Sequence, residues 1–123
     1  MKNFRDLRVW QEAHQLTLAI YRLTKRLPRE EQFGLCSQMR RAAVSIEANL
    51  AEGCGRGTDG ELHRFAQISF GSASELECHL LICLDLEMME QAEYADLEAR
   101  LQNVRRMLSG LSQKLAASKS AAV

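Results

Sequence analysis

EYADLEARLQNVRRMLSGLSQKLAA (93–117) decides the fold class. Tyr94, Leu97, Leu101, Val104, Leu108, Leu111 and Leu115 recur at alternating steps of three and four. That spacing lays them along one side of a helix as a heptad seam, which must be covered by other helices and suits a left-handed bundle. The expected covers lie upstream. Over about 7–27, Trp10, Ala13, Thr17, Ile20, Thr24 and Leu27 share a face that Val9, Leu16 and Leu23 widen, as in a bundle helix rather than a two-stranded coil. Pro28 ends that helix, because the residue before a proline avoids helical dihedrals. Over about 36–53 the stripe is Met39, Ala43, Ile46 and Leu50, and the glycines of EGCGRGTDG (52–60) are expected to end it. Thr58 and Glu61 form a T-x-x-E capping box opening a long helix over about 60–89. Its seam is Leu62, Phe65, Ser69, Ala73, Leu76, Leu80 and Cys83, and its middle, SFGSAS (69–74), is small enough for a close neighbour.

The expectation is an all-α, antiparallel up-down four-helix bundle forming one domain over 1–123, with a frayed tail at 118–123. The joint between the last two helices, DLEMMEQAEYADLE (85–98), has neither Gly nor Pro. One continuous helix, or a domain-swapped pair, is the alternative there.

Composition narrows the function classes. No apolar run reaches the ~18 residues that span a bilayer. The opening MKNFRDLRVW carries charges where a leader needs an apolar stretch, so a cytoplasmic location is expected. Cys36, Cys54, Cys78 and Cys83 sit in helical patterns without a zinc-type pair and read as reduced, mostly buried thiols. Gly55, Gly57 and Gly60 match G-x-G-x-x-G, but a helix precedes them where a dinucleotide site needs a strand. A di-metal bundle needs E-x-x-H pairs, and His14, His63 and His79 follow other spacings. His79 and Cys83, four apart, supply two ligands where zinc takes three or four. No nucleophile with a matching base can be assembled. No catalytic residue, cofactor, metal or small-molecule substrate is expected, and the chain reads as a non-enzyme.

Two surface features remain. Along the helix over 36–53 runs a polar stripe of Gln38, Arg41, Ser45, Asn49, Glu52 and Arg56, spaced by three or four and flanked by Ala43, Ala48 and Ala51. Small polar residues beside alanine suit contact with another helix, hydrogen-bonded across it; a solvated face is the plainer reading. The second feature is charge placement. The chain is neutral, yet residues 1–57 carry ten Lys/Arg against six Asp/Glu, and residues 58–123 carry six against ten. In an up-down bundle the first and third loops share an end, so Arg22, Lys25, Arg26 and Arg29 are expected to neutralise Asp85, Glu87, Glu90, Glu93, Asp96 and Glu98. The other end gathers Lys2, Arg5, Arg8, Arg56, Arg64, Lys114 and Lys119 against Asp6, Asp59 and Glu61. Those seven cations are the candidate RNA or DNA contacts.

FRDLRVWQEA (4–13), the run from Pro28 to Leu35, SQMRRAAVSIEANLAEGCGR (37–56) and GSASELECHL (71–80) together resemble the four-helix-bundle proteins encoded in intervening sequences of bacterial 23S rRNA genes, over roughly residues 4–115. The resemblance implies an up-down bundle assembling into a ring, typically a homopentamer. It also implies kinship with the accessory variability determinant of retroelements, a nucleic-acid-binding pentamer that partners a reverse transcriptase. Arg40, Arg41, Ser45, Asn49, Glu52, Gly53, Arg56, Ser72 and Glu75 stand at positions of the family pattern, with a structural or inter-subunit role implied. Many members have proline where this chain has Glu47 and glycine where it has Glu87, and the nucleic-acid-binding relatives are strongly basic. The reading is a homo-oligomeric scaffold that binds nucleic acid at its basic end; the alternative is a structural or protein-partner module without nucleic-acid contact. Trp10 and Tyr94 are further interface candidates, although the core is the simpler place for Trp10.

Overall fold

Four long helices follow from where the chain is stopped. The computed structural model describes residues 3–121, with side chains through residue 117. Helix α1 spans Arg8–Lys25, α2 Leu35–Gly55, α3 Asp59–Asp85 and α4 Gln91–Ala121, with short 3-10 turns at Phe4–Asp6 and Arg29–Glu31. No strand occurs among the described residues. No described helix is long and apolar enough to cross a membrane.

Most residues that periodicity assigns to the seams are buried, with Trp10, Tyr94 and Leu111 half-buried. Leu16, Ile20 and Leu23 of α1, Met39, Ile46 and Leu50 of α2, Leu76 and Leu80 of α3, and Leu101 and Leu108 of α4 are essentially inaccessible. Each such side chain contributes roughly 1.5–3 kcal/mol relative to exposure. Neighbours follow the order α1, α2, α3, α4 and back to α1. Contacts run in opposed numbering: His14 meets Glu47, Thr17 meets Ala43 and Thr24 meets Arg40 between α1 and α2. Ser69 meets Ile46 and Ser72 meets Ser45 between α2 and α3.

The α2–α3 contact is the tightest. A Cβ on Gly53 would sit 3.0 Å from Phe65 Cβ and 3.1 Å from Leu62 Cα, so a side chain here would require α3 to give by a few tenths of an ångström. The buried Ser69 hydroxyl donates to the Ile46 carbonyl at 2.8 Å. Ala73 is fully buried, whereas Gly71 points into open space. The glycine-rich segment therefore acts differently from the sequence expectation. Gly53 and Gly55 remain inside α2, and the terminator is Gly57, at φ 85°. The capping box is half made: the Glu61 amide donates to Thr58 Oγ1 at 3.2 Å, while the Glu61 carboxylate turns to arginines.

The third joint is a turn, not a continuous helix. Helix α3 stops at Asp85, earlier than the expected 89. The Met88 amide donates to the Cys83 carbonyl at 2.8 Å and the Glu87 amide to the Leu84 carbonyl at 3.0 Å. This is a Schellman closure, and it forces Glu87 to φ 58°, a left-handed conformation that favours glycine. Helix α4 continues to Ala121, beyond the expected 117, since the added residues include neither glycine nor proline. At the position of the family's proline, α2 runs uninterrupted through Glu47, whose carboxylate accepts from His14 Nδ1 at 2.9 Å.

Two stability predictions follow from these backbone constraints. Gly53→Ala should destabilise the protein by about 1–3 kcal/mol, since helix backbones must separate; thermal unfolding reads this as a lowered midpoint. Glu87→Gly should stabilise it by about 1 kcal/mol by relieving the left-handed side chain, seen as a higher urea midpoint at unchanged slope.

Candidate functional site

The polar stripe of α2 divides into two parts. Ser45 and Asn49 are half-buried and engaged within the chain. Ser45 Oγ lies 2.8 Å from Ser72 Oγ on α3, and Asn49 Nδ2 donates to the Ser45 carbonyl at 2.8 Å and to its hydroxyl at 3.0 Å. Ser45 thus meets α3 of the same chain, while Asn49 bonds within α2. Gln38, Arg41, Glu52 and Arg56 remain exposed. Glu52 pairs with Arg56 one turn on, at 3.1 Å.

Arg41 opens instead onto a groove between α1 and α2, with an open volume of about 630 Å³, lined by Tyr21, Phe33, Ser37, Arg40 and Val44 among others. Its apolar members are conspicuous. Phe33 is 99% exposed, and Tyr21 and Val44 are also large exposed apolar side chains. Arg40 is held in place: its Nε donates to Thr24 Oγ1 at 2.7 Å and its guanidinium lies 5.2 Å from the Tyr21 ring centre. Arg41 makes no ion pair among the described residues. Sequence reading missed the groove, because Phe33 lies in a loop outside any periodic stripe.

At the end expected to be basic, a small cluster of Cys54, Leu62 and Leu115 packs with Phe4, Leu7 and Leu111. This brings the first turn, the α2–α3 loop and the late part of α4 together. Arg56 and Arg64 are locally neutralised: Glu61 takes Arg64 at 3.0 Å and Arg56 at 3.9 Å, and both guanidinium groups lie over the Phe65 ring. Arg5 covers Phe4, and Arg8 and Lys114 are exposed. Lys2 and the side chain of Lys119 lie outside the described residues. Phe4 meets Trp10 edge to face, and Trp10 stacks on His14, each at 4.9 Å between centroids. Trp10 and Tyr94 are both half-buried against the core.

The opposite end is less neutralised than the sequence suggests. Among the described residues, Arg26 alone of the four expected cations forms a salt bridge to the acidic segment, at Glu93. Asp96 pairs with Arg100 on its own helix at 3.3 Å, and Glu98 accepts from Gln102 at 3.0 Å. Asp85, Glu87 and Glu90 are exposed and form no ion pair among the described residues. They surround Leu86, which is 60% exposed.

The thiols are mostly interior. Cys36, Cys54 and Cys83 are buried and Cys78 is exposed. Burial pushes the Cys83 thiol up to about 11 and raises Cys36 as well. Cys83 lies 3.6 Å from Met39 Sδ rather than facing His79, and Cys36 donates to the Thr24 carbonyl at 3.7 Å. No group of three or more His, Cys, Asp or Glu side chains among the described residues is arranged to hold a metal. His79 is buried, with Nδ1 unpartnered and Nε2 3.5 Å from Glu75. Burial lowers its pKa below the ordinary 6.5, outweighing the Glu75 charge that raises it.

A lowered folded-state pKa means that the unfolded chain takes up the His79 proton first. Stability should therefore decline as pH falls below about 6.5 and be insensitive to this group above it. His79→Leu should reduce that decline, as read by urea midpoints at about pH 7 and about pH 5; an unchanged difference between the two midpoints would remove the assignment.

Comparison with known proteins adds a family match and likenesses of fold. The family described as 23S rRNA-intervening sequence protein matches residues 5–110. A solved structure titled as a protein of unknown function from the S23 ribosomal protein family of Bacteroides thetaiotaomicron VPI-5482 superposes with a TM-score of 0.79. It is 21% identical, over 85% of this chain and 97% of its own, and that identity speaks to the fold alone. No curated protein matches the chain.

Proposed function

The chain belongs to the 23S rRNA-intervening sequence protein family, and from that membership we propose that it is a non-enzymatic, homo-oligomeric scaffold. In this reading the helices form an antiparallel, left-handed up-down bundle in one domain, and copies assemble into a ring, a homopentamer, in the cytoplasm. The opposed numbering of the α1–α2 and α2–α3 contacts supports the antiparallel arrangement. Cysteines that are mostly buried fit a reducing compartment.

One observation carries the assembly: a small bundle leaves large apolar side chains in water, led by Phe33 at 99% and Leu86 at 60% exposure. Single exposed apolar residues are ordinary, but grouped ones mark interaction surfaces. Here Phe33 shares its groove with Tyr21 and Val44, and Leu86 follows Leu81 and Ile82 along α3.

A second reading adds nucleic acid. Exposed, unpaired Arg8 and Lys114 favour it, with Arg5 beside them, and Lys2 and Lys119 belong to the same candidate set. Arg56 and Arg64 contribute less, since Glu52 and Glu61 balance them. A modest patch repeated around a ring gains through effective concentration. Without such contact the protein is a structural or protein-partner module.

Light scattering at micromolar concentration should give a particle near five times 13.9 kDa; a particle of one chain mass would remove the scaffold. Retention on immobilised RNA should fall with salt, and Arg8→Glu with Lys114→Glu should reduce both the retention and its salt slope. No retention at low salt leaves the module without nucleic acid.

A further inference from the structure

We propose that the α1–α2 groove receives the apolar ridge at the end of α3 from a second copy of this chain, so that each protomer carries a groove on one side and a ridge on another. The inference rests on the homo-oligomeric reading and assigns its two contacting surfaces. The groove presents Tyr21, Phe33 and Val44 with Arg40 and Arg41 at its edge. The ridge presents Ile82 and Leu86, one helical turn apart and 39% and 60% exposed. Asp85 and Glu87 flank Leu86, and Glu90 follows.

Charge complementarity selects the partner. Arg41 forms no ion pair among the described residues, although Glu75 lines a smaller hollow beside it, and Asp85, Glu87 and Glu90 form none either. The chain thus holds an apolar groove bordered by unpaired positive charge and an apolar ridge bordered by unpaired negative charge. Apolar surface supplies the attraction, and the charges set register and disfavour groove against groove or ridge against ridge.

Position agrees with this pairing. Arg26 meets Glu93, so the α1–α2 and α3–α4 loops share one end of the bundle. Met39 meets Cys83 across α2 and α3, which puts Leu86 near the level of the first turn of α2, where Ser37 lies and which Phe33 just precedes. Groove and ridge therefore sit at similar heights on different sides. A contact between unlike surfaces at one height is heterologous, and it closes into a ring when the rotation between copies divides a full turn. The turn geometry contributes directly: the left-handed Glu87 and the Met88 bond to Cys83 fix Leu86 at the outer corner.

The test uses the full chain and three variants, with particle mass across a dilution series as readout and circular dichroism confirming the helices. Leu86→Asp and Arg41→Glu should each weaken assembly, by on the order of thirtyfold for the apolar anchor and about tenfold for the charge. The double variant Arg41→Glu with Glu87→Arg should recover most of the wild-type mass, because every contact then carries the reversed pair. If wild type assembles and both single variants assemble equally well, the groove–ridge pairing is wrong. Weakening by Leu86→Asp with no effect of Arg41→Glu, or a charge swap that fails to restore mass, also overturns it. A wild type that stays monomeric fails at the earlier step, the scaffold itself.

Discussion

The close approach of α2 and α3 is the constraint on which the rest of this molecule depends. Gly53 lets the α3 backbone come near enough that any Cβ would press on Leu62 and Phe65. Ser69, Ser72 and Ala73 continue the contact along α3 with little bulk, and the serines find partners on α2. Interiors pack to crystal-like density, so one tight pair sets the spacing the other two helices must fill. Leucines on α1 and α4 then close the core from either side. Among the described residues, His79 Nδ1 is the one buried side-chain nitrogen or oxygen without a hydrogen-bond partner, which keeps the tight pair from being a liability.

Charge is arranged mostly by local geometry. Arg56 and Arg64 take Glu52 and Glu61 within one or two turns of sequence, and Asp96 takes Arg100 one turn away. Bonds between distant segments are fewer: Arg26 with Glu93, Arg105 with Glu77, and His14 with Glu47. A short tether to a helical neighbour costs less side-chain entropy than a reach across a loop. That is why counting opposite charges at one end overestimates their cancellation. Arg41, and the carboxylates around Leu86, are among the exposed charges that form no ion pair among the described residues.

Legibility from sequence differs by feature. The apolar seams of all four helices could be read directly, because a 3.6-residue period tolerates only one buried face. Helix ends were less legible. Gly53 looks like a stop signal and is instead a packing device, while Glu87 looks like a helix residue and forms the turn. In both cases tertiary contact overrides local propensity. From the polar stripe, Ser45 meets Ser72 of α3, a contact between helices of one chain that no spacing rule distinguishes from one between chains. The groove around Phe33 had no sequence signal, since its lining comes from one loop and two helices.

The sequence by itself determined that this protein is helical, that four segments carry buried faces, and to which family it belongs. Each of those is a property of residue order: periodic burial in the first two, matching positions over 5–110 in the third. The tertiary structure decided which glycine packs and which one turns, which arginines are neutralised, and where apolar side chains are left in water. Those depend on distances between residues far apart in the chain, and such distances exist only after the helices have packed.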